Sequence, residues 1–173
     1  EMGATNLLIT NPRDLPALIK DIKKHNITVF VGVNTLFNAL VNRDDFKSLD
    51  FSRWKLALGG GMAVQKAVAD KWKAVTGIPI VEAYGLTEAS PGVTINPINI
   101  TAYTGSIGLP IPGTEIEIRD DAGKEVAVGQ PGELWIKGPQ VMKGYWQRPD
   151  ETAKALDSRG FLASGDVAVI DEK

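Results

Sequence analysis

Between Asn6 and Ala83, short apolar runs alternate with segments whose apolar residues recur at helical spacing. Asn6 to Thr10 predicts a strand. Asn11 and Pro12 then supply an N-cap and a first-turn proline for a helix striped by Leu15, Leu18, Ile19 and Ile22. Ile27 to Val31, entirely apolar or β-branched, predicts a second strand, and a helix follows from about Thr35 to Val41. Trp54 to Leu58 is the third expected strand. Met62 to Thr76 is expected as a helix with Val64, Ala67, Val68, Trp72 and Val75 on one face, stopped by Gly77; Ile78 to Ala83 is the fourth strand. Strands apolar on both faces, alternating with amphipathic helices, imply a parallel sheet covered on both sides.

The pattern changes after about Asn96. Pro97, Pro110, Pro112, Pro131, Pro139 and Pro149 punctuate short strands, and helical spacing nearly disappears. Thr114 to Arg119 alternates as a half-buried strand should, Asp120 to Gly123 reads as a turn, and Gly132 to Lys137 as the next strand. Asp150 to Leu156 predicts a short helix; Phe161 to Ala163 and Val167 to Ile170 predict two more strands. The expected fold class is α/β. Residues 1–96 would form the C-terminal part of a parallel α/β nucleotide-binding subdomain, and residues 97–173 a β-rich, barrel-like subdomain.

Composition narrows the function without naming it. Nineteen basic against twenty-one acidic residues give a net charge of -2, so no basic field recruits nucleic acid or anionic membrane. The absence of cysteine excludes disulfides, thiolate metal sites and cysteine nucleophiles, and fits a reducing cytosol. No apolar run approaches the ~20 residues of a membrane span. The chain opens Glu1-Met2-Gly3-Ala4 just before one apolar run and stops at Asp171-Glu172-Lys173 after another, which suggests a piece of a longer protein.

The candidate chemistry gathers in loops. Val81-Glu82-Ala83-Tyr84-Gly85-Leu86-Thr87-Glu88 ends an apolar strand with an aromatic face, a flexible glycine, a hydroxyl and a carboxylate. That set can stack on a base, approach a phosphate and hold a hard cation through oxygen. Gly59-Gly60-Gly61 follows the preceding strand, so both loops belong at the carboxyl edge of a parallel sheet, where such folds bind ligands. The helix after Gly61 would aim its N-terminus at the same edge. Three glycines also suit a plain strand-to-helix turn. Asp166, in Ala163-Ser164-Gly165-Asp166, offers a carboxylate in a tight turn for the hydroxyls of a ribose, or forms an ordinary Gly-Asp turn. Neither glycine loop is a Walker A or GxGxxG motif. His25, the only histidine, sits in Lys23-Lys24-His25-Asn26 where a cation caps a helix C-terminus, so no Ser/His/Asp triad can be built around it. The four tryptophans read mostly as core, with Trp146 the more exposed.

Taken in order, these motifs resemble the adenylate-forming acyl-CoA synthetase family, most closely its long-chain fatty acid–CoA ligases. Tyr84-Gly85-Leu86-Thr87-Glu88 resembles the signature loop, and Gly59-Gly60-Gly61 the upstream glycine-rich adenine loop. Gly132 to Pro139, continuing to Gly144-Tyr145-Trp146, resembles the next core motif. Gly160 to Asp166 resembles the ribose-binding motif, with Ser164 where threonine is usual. The resemblance implies that Tyr84 stacks on adenine, with the backbone near Ala83 and Gly60 around its edge. Gly59, Gly61, Gly85 and Leu86 would complete the ATP/AMP pocket. Thr87 would contact the α-phosphate, Glu88 would help hold Mg²⁺, and Asp166 would bind the ribose. Thr87 and Glu88 are thus the implied catalytic residues, and ATP, a long-chain fatty acid and CoA the implied substrates.

The family's Ser/Thr/Gly-rich phosphate loop, its hinge and its small C-terminal domain with the adenylation lysine have no counterpart here. The chain resembles the middle of such an enzyme, with isolated activity expected near zero. A cytoplasmic parent is implied, with peripheral contact at the inner membrane left open. A ligase for another acid, or a nonenzymatic α/β binding module on the same scaffold, remains an alternative.

Overall fold

The computed structural model describes residues 3–172; Glu1, Met2 and Lys173, part of the reading of the chain's ends, lie outside the described residues. The chain divides into two compact units. One runs to Glu82 and includes Pro97–Ser106; the other comprises Ala83–Asn96 and the chain from Ile107 onward.

The first unit is α/β. Its elements are α1 (Leu15–His25), β1 (Val29–Gly32), α2 (Asn34–Val41), α3 (Asp44–Lys47), β2 (Leu56–Gly59), α4 (Lys66–Thr76) and the first half of β3 (Ile80–Gly85). β2 pairs in parallel with β1 (Phe30 opposite Ala57) and with β3 (Ala57 opposite Ile80). This is the expected parallel sheet. α1 starts later than its sequence suggests. The Asp14 carboxylate accepts the Ala17 amide at 3.1 Å and Pro16 occupies the first turn, whereas Asn11 accepts the Arg13 amide in the turn before. Both sites carry a cap followed by proline; Asp14 lies closer to the stripe of Leu18, Ile19 and Ile22.

Packing is dominated by rings. Trp72 is fully buried and touches Phe30, Phe37, Phe46 and Trp54, the closest being Phe37 at 4.7 Å between centroids in an edge-on arrangement. α4 contributes Val68, Ala69 and Trp72, so Ala69 takes the inward place expected of Ala67. Gly77 ends the helix with φ +81°. Two expectations fail. Residues 6–10 form no strand, because no neighbouring strand offers them a ladder; Leu8 is 85% exposed. The sheet is not closed on both faces at β1 either, where Val29 and Val31 face solvent. α3, unforeseen, exists because Phe46 reaches the ring cluster.

The regular structure of the second unit is mostly strand. The end of β3 pairs antiparallel with β4 (Gly92–Ile95), which pairs with β5 (Leu109–Pro110). β6 (Glu115–Arg119), β7 (Gly132–Lys137) and β8 (Leu162–Ala168) form an antiparallel meander, with α5 (Pro149–Ala155) before β8. Ala89, Val93, Ile118, Leu134 and Ile136 form its core. Asp120 accepts the amides of Ala122 and Lys124, which makes the expected turn after β6. β8 is one continuous strand where two were expected. No helix among the described residues is long and apolar enough to cross a membrane.

Two outcomes follow from this packing. Trp72→Ala should cost about 3–5 kcal/mol of unfolding free energy, since it removes the hub of the ring cluster; an unshifted urea midpoint would contradict that role. Glu82, on β3 and 8% exposed, has its carboxyl raised by burial against the opposing pull of backbone amides at Val64 and Gly105. A carboxyl raised on folding contributes stability below its unfolded pKa of about 4.3 and loses it as pH rises through the folded value. Glu82→Gln, uncharged throughout, should therefore gain in thermal midpoint over the parent sequence as pH climbs from about 4 to neutrality.

Candidate nucleotide site

β3 delivers Tyr84 into the second unit, where its half-buried side chain packs against that unit's core cluster. Its hydroxyl donates to Asp166 Oδ2 at 2.5 Å, joining positions 82 residues apart. Burial first, then the hydrogen bond to Asp166, pushes the Tyr84 hydroxyl up to about 12. The phenol therefore stays protonated and donating at neutral pH. A planar ring beside an oriented carboxylate suits a base joined to a diol sugar: stacking for the one, charge-assisted acceptance of O–H for the other.

The backbone turns sharply after Tyr84. The β3–β4 register slips between Tyr84 and Gly85, and the Leu86 amide reaches the Pro91 carbonyl at 2.9 Å. A Cβ at Gly85 would collide with that carbonyl oxygen, so only glycine permits the approach. Thr87 to Ala89 follow as one 3-10 turn, with Thr87 exposed, Glu88 half-buried and Ala89 in the core. Glu88 is held twice. The Met142 amide donates to its carbonyl at 2.7 Å, and the Tyr145 hydroxyl donates to Oε1 at 2.9 Å. The hydrogen bond to Glu88, more than burial, raises the Tyr145 hydroxyl above its ordinary range, so it too remains a donor.

Among the described residues no group of three His, Cys, Asp or Glu could enclose a metal ion. One carboxylate beside an exposed hydroxyl nevertheless fits magnesium, which dehydrates reluctantly and is commonly bound by one or two carboxylates together with substrate phosphates.

Asp166 lies in a bulge rather than in the expected tight turn. On β7 only Leu134 stands between the paired residues Glu133 and Trp135; on β8 their partners Val167 and Ala163 are separated by Ser164, Gly165 and Asp166. Gly165 adopts φ +76°. The Asp166 amide donates to Ser164 Oγ at 3.1 Å, and the Gly165 amide to Glu133 Oε1 at 2.9 Å.

The structure thus brings together Tyr84 and Asp166, and sets Ala83, Gly85, Leu86, Thr87 and Glu88 on the strand end and turn beside them in sequence. Gly59, Gly60 and Gly61 belong to the first unit. Gly59 ends β2 where a Cβ would press within 2.8 Å of Val64 and Ile80, and Gly61 has φ +76°. The helix expected directly after Gly61 starts only at Lys66, with the Gln65 amide held by the Asn34 side chain at 2.9 Å. His25 is the last residue of α1, after Lys23 and Lys24, and Trp146 is 87% exposed. Sequence reasoning missed Tyr145 and Glu133. Both stand in segments it singled out, yet their partners lie 57 and 32 residues away.

The AMP-binding enzyme family description matches residues 2–146. A long-chain-fatty-acid–CoA ligase of Yersinia pestis is 56% identical over 172 residues, 99% of this chain and 30% of that protein. A feruloyl-CoA synthase of an Amycolatopsis species is 35% identical over 159 residues, 91% of this chain and 32% of its own length. Among solved structures, the anthranilate CoA ligase AuaEII in complex with anthranoyl-AMP superposes with a TM-score of 0.90 at 26% identity, over 98% of this chain and 33% of that one. The chain thus spans about 30% of the length of the curated relatives it matches. With a mixed α/β fold, an aromatic–carboxylate pair fit for a nucleoside, and a family match over most of its length, the chain belongs to the AMP-binding enzymes.

Proposed function

We propose that this chain is part of a long-chain fatty acid–CoA ligase and carries the adenine, ribose and metal side of its adenylation site. The observation that supports this most directly is the Tyr84–Asp166 hydrogen bond, which sets the signature-loop aromatic beside the carboxylate of the ribose motif. Tyr84 stacks on adenine, edged by the backbone at Ala83. Asp166 accepts the ribose hydroxyls, Thr87 contacts the α-phosphate, and Gly85 and Leu86 shape the turn between them. In sequence order we assign residues 1–96 to the latter part of the parent's nucleotide-binding subdomain and residues 97–173 to its β-rich, barrel-like subdomain, although the compact units exchange Ala83–Asn96 and Pro97–Ser106 across that boundary.

The reaction has two displacements. A fatty acid carboxylate oxygen attacks the α-phosphorus of ATP, the bond to the β-phosphate oxygen breaks, and pyrophosphate leaves. The CoA sulfur then attacks the acyl carbon of the adenylate, loses its proton, and AMP departs with the carbonyl-bound oxygen. Two anions must meet in the first step, so the chain's task is placement and charge compensation. Magnesium held at Glu88 would supply positive charge to the phosphates. Tyr145 fixes the orientation of Glu88 through Oε1, and the Thr87 hydroxyl donates a hydrogen bond to a phosphate oxygen. No step requires a histidine.

The parent acts in the cytoplasm on ATP, CoA and a fatty acid. The similarity to proteins named for ferulate and anthranilate favours a second reading, a ligase for an aryl acid. In the full-length protein, acid-dependent release of pyrophosphate should be strong with a long-chain fatty acid and fall about 100-fold in Glu88→Ala. Equal turnover with benzoate or acetate would remove the chain-length assignment. Asp166→Ala should raise the KM for ATP about 10-fold; a parent that neither binds ATP nor responds to this change would be a nonenzymatic module.

A further inference from the structure

We infer that Glu133 is a positioning residue for Asp166, holding the β8 bulge in the one shape that aims this carboxylate at the nucleoside. The inference rests on the reading of Asp166 as the ribose acceptor. The bulge places three residues of β8 against Leu134 alone, so the ladder cannot satisfy every amide between Ala163 and Val167. Two are captured off the ladder. Ser164 Oγ takes the Asp166 amide, and Glu133 Oε1 takes the Gly165 amide at 2.9 Å. Gly165 sits at φ +76°, a position at which glycine has little conformational preference of its own. Its orientation must therefore be imposed from outside.

Glu133 is itself oriented. Its second oxygen, Oε2, accepts the Trp135 indole N–H at 3.0 Å, and the Arg119 guanidinium lies 4.0 Å from the centroid of that indole. Arg119 is buried and paired with Glu117 and Asp157 at 2.8 and 2.9 Å. A fixed cation thus holds a ring, the ring's N–H holds a carboxylate, and the carboxylate holds the glycine next to Asp166. A carboxylate suits the place because it accepts from both sides at once; a glutamine oxygen accepts the Gly165 amide but turns N–H groups toward the indole donor.

The test reads binding rather than turnover: calorimetric affinity of the full-length protein for AMP and for 2′,3′-dideoxy-AMP. Asp166→Ala is the reference and should abolish the preference for AMP. Glu133→Ala should lose about 10-fold in affinity for AMP and almost nothing for the dideoxy nucleotide. Glu133→Gln should retain most of the preference, and Trp135→Phe, which keeps Glu133 but removes the indole donor, should lose a few-fold. Should Glu133→Ala fail to fold, the Gln and Phe variants carry the comparison. Equal weakening of both nucleotides, or full retention of the preference, overturns the role of Glu133. If Asp166→Ala itself keeps the preference, it is the ribose assignment that fails.

Discussion

The candidate site depends on the hydrogen bond from Tyr84 to Asp166, and each partner arrives by a departure from regular strand. Tyr84 stands where β3 loses register with β4, one residue before a glycine pressed against a carbonyl. Asp166 stands in a bulge of β8 whose amides are satisfied by side chains. Regular ladders would have turned alternate side chains to opposite faces, with no reason for these two to meet at 2.5 Å. Irregular backbone at both ends of one contact is what a preformed recognition site requires, since the lost ladder bonds are offset by a fixed geometry.

Much of the scaffold could be read from local pattern. The α4 stripe with Gly77 as its stop, the alternation of β6 and the β7 run all appear where periodicity put them, because each is specified by residues within a few positions of one another. The failures share a cause. Residues 6–10 carry strand-like composition but lack a partner, and pairing is a non-local property. α3 owes its existence to one phenylalanine reaching a ring cluster assembled from distant segments. β4 was invisible because its alternation is only four residues long and follows a proline.

The site divides along the same line. Residue types and motif order exposed Tyr84, Thr87, Glu88 and Asp166, the groups proposed to touch a ligand. They did not expose Tyr145 or Glu133, which hold those groups in place. Ligand-contacting residues are constrained by chemistry, and chemistry is legible as residue type. Supporting residues are constrained by three-dimensional proximity across 57 and 32 positions, for which one sequence carries no signal.

Two pairs of carboxylates in the second unit are met in distinct ways, and the contrast bears on function. Burial would raise Glu117 and Asp157. Arg159 and Arg119 at Glu117, and at Asp157 the Phe161 amide together with Arg119, outweigh it and hold both below the ordinary carboxylate range. Their charge is consumed within the fold. Asp166 and Glu88 are met instead by tyrosine hydroxyls, which orient an oxygen without contributing a formal positive charge. A neutral donor leaves the carboxylate's charge to act outward, on a diol or a hard cation, whereas a guanidinium would neutralise it and compete with either. Tyrosine hydroxyls at Asp166 and Glu88 thus contrast with the guanidinium partners of Glu117 and Asp157, and the two tyrosines are as informative about the proposed site as the acids they face.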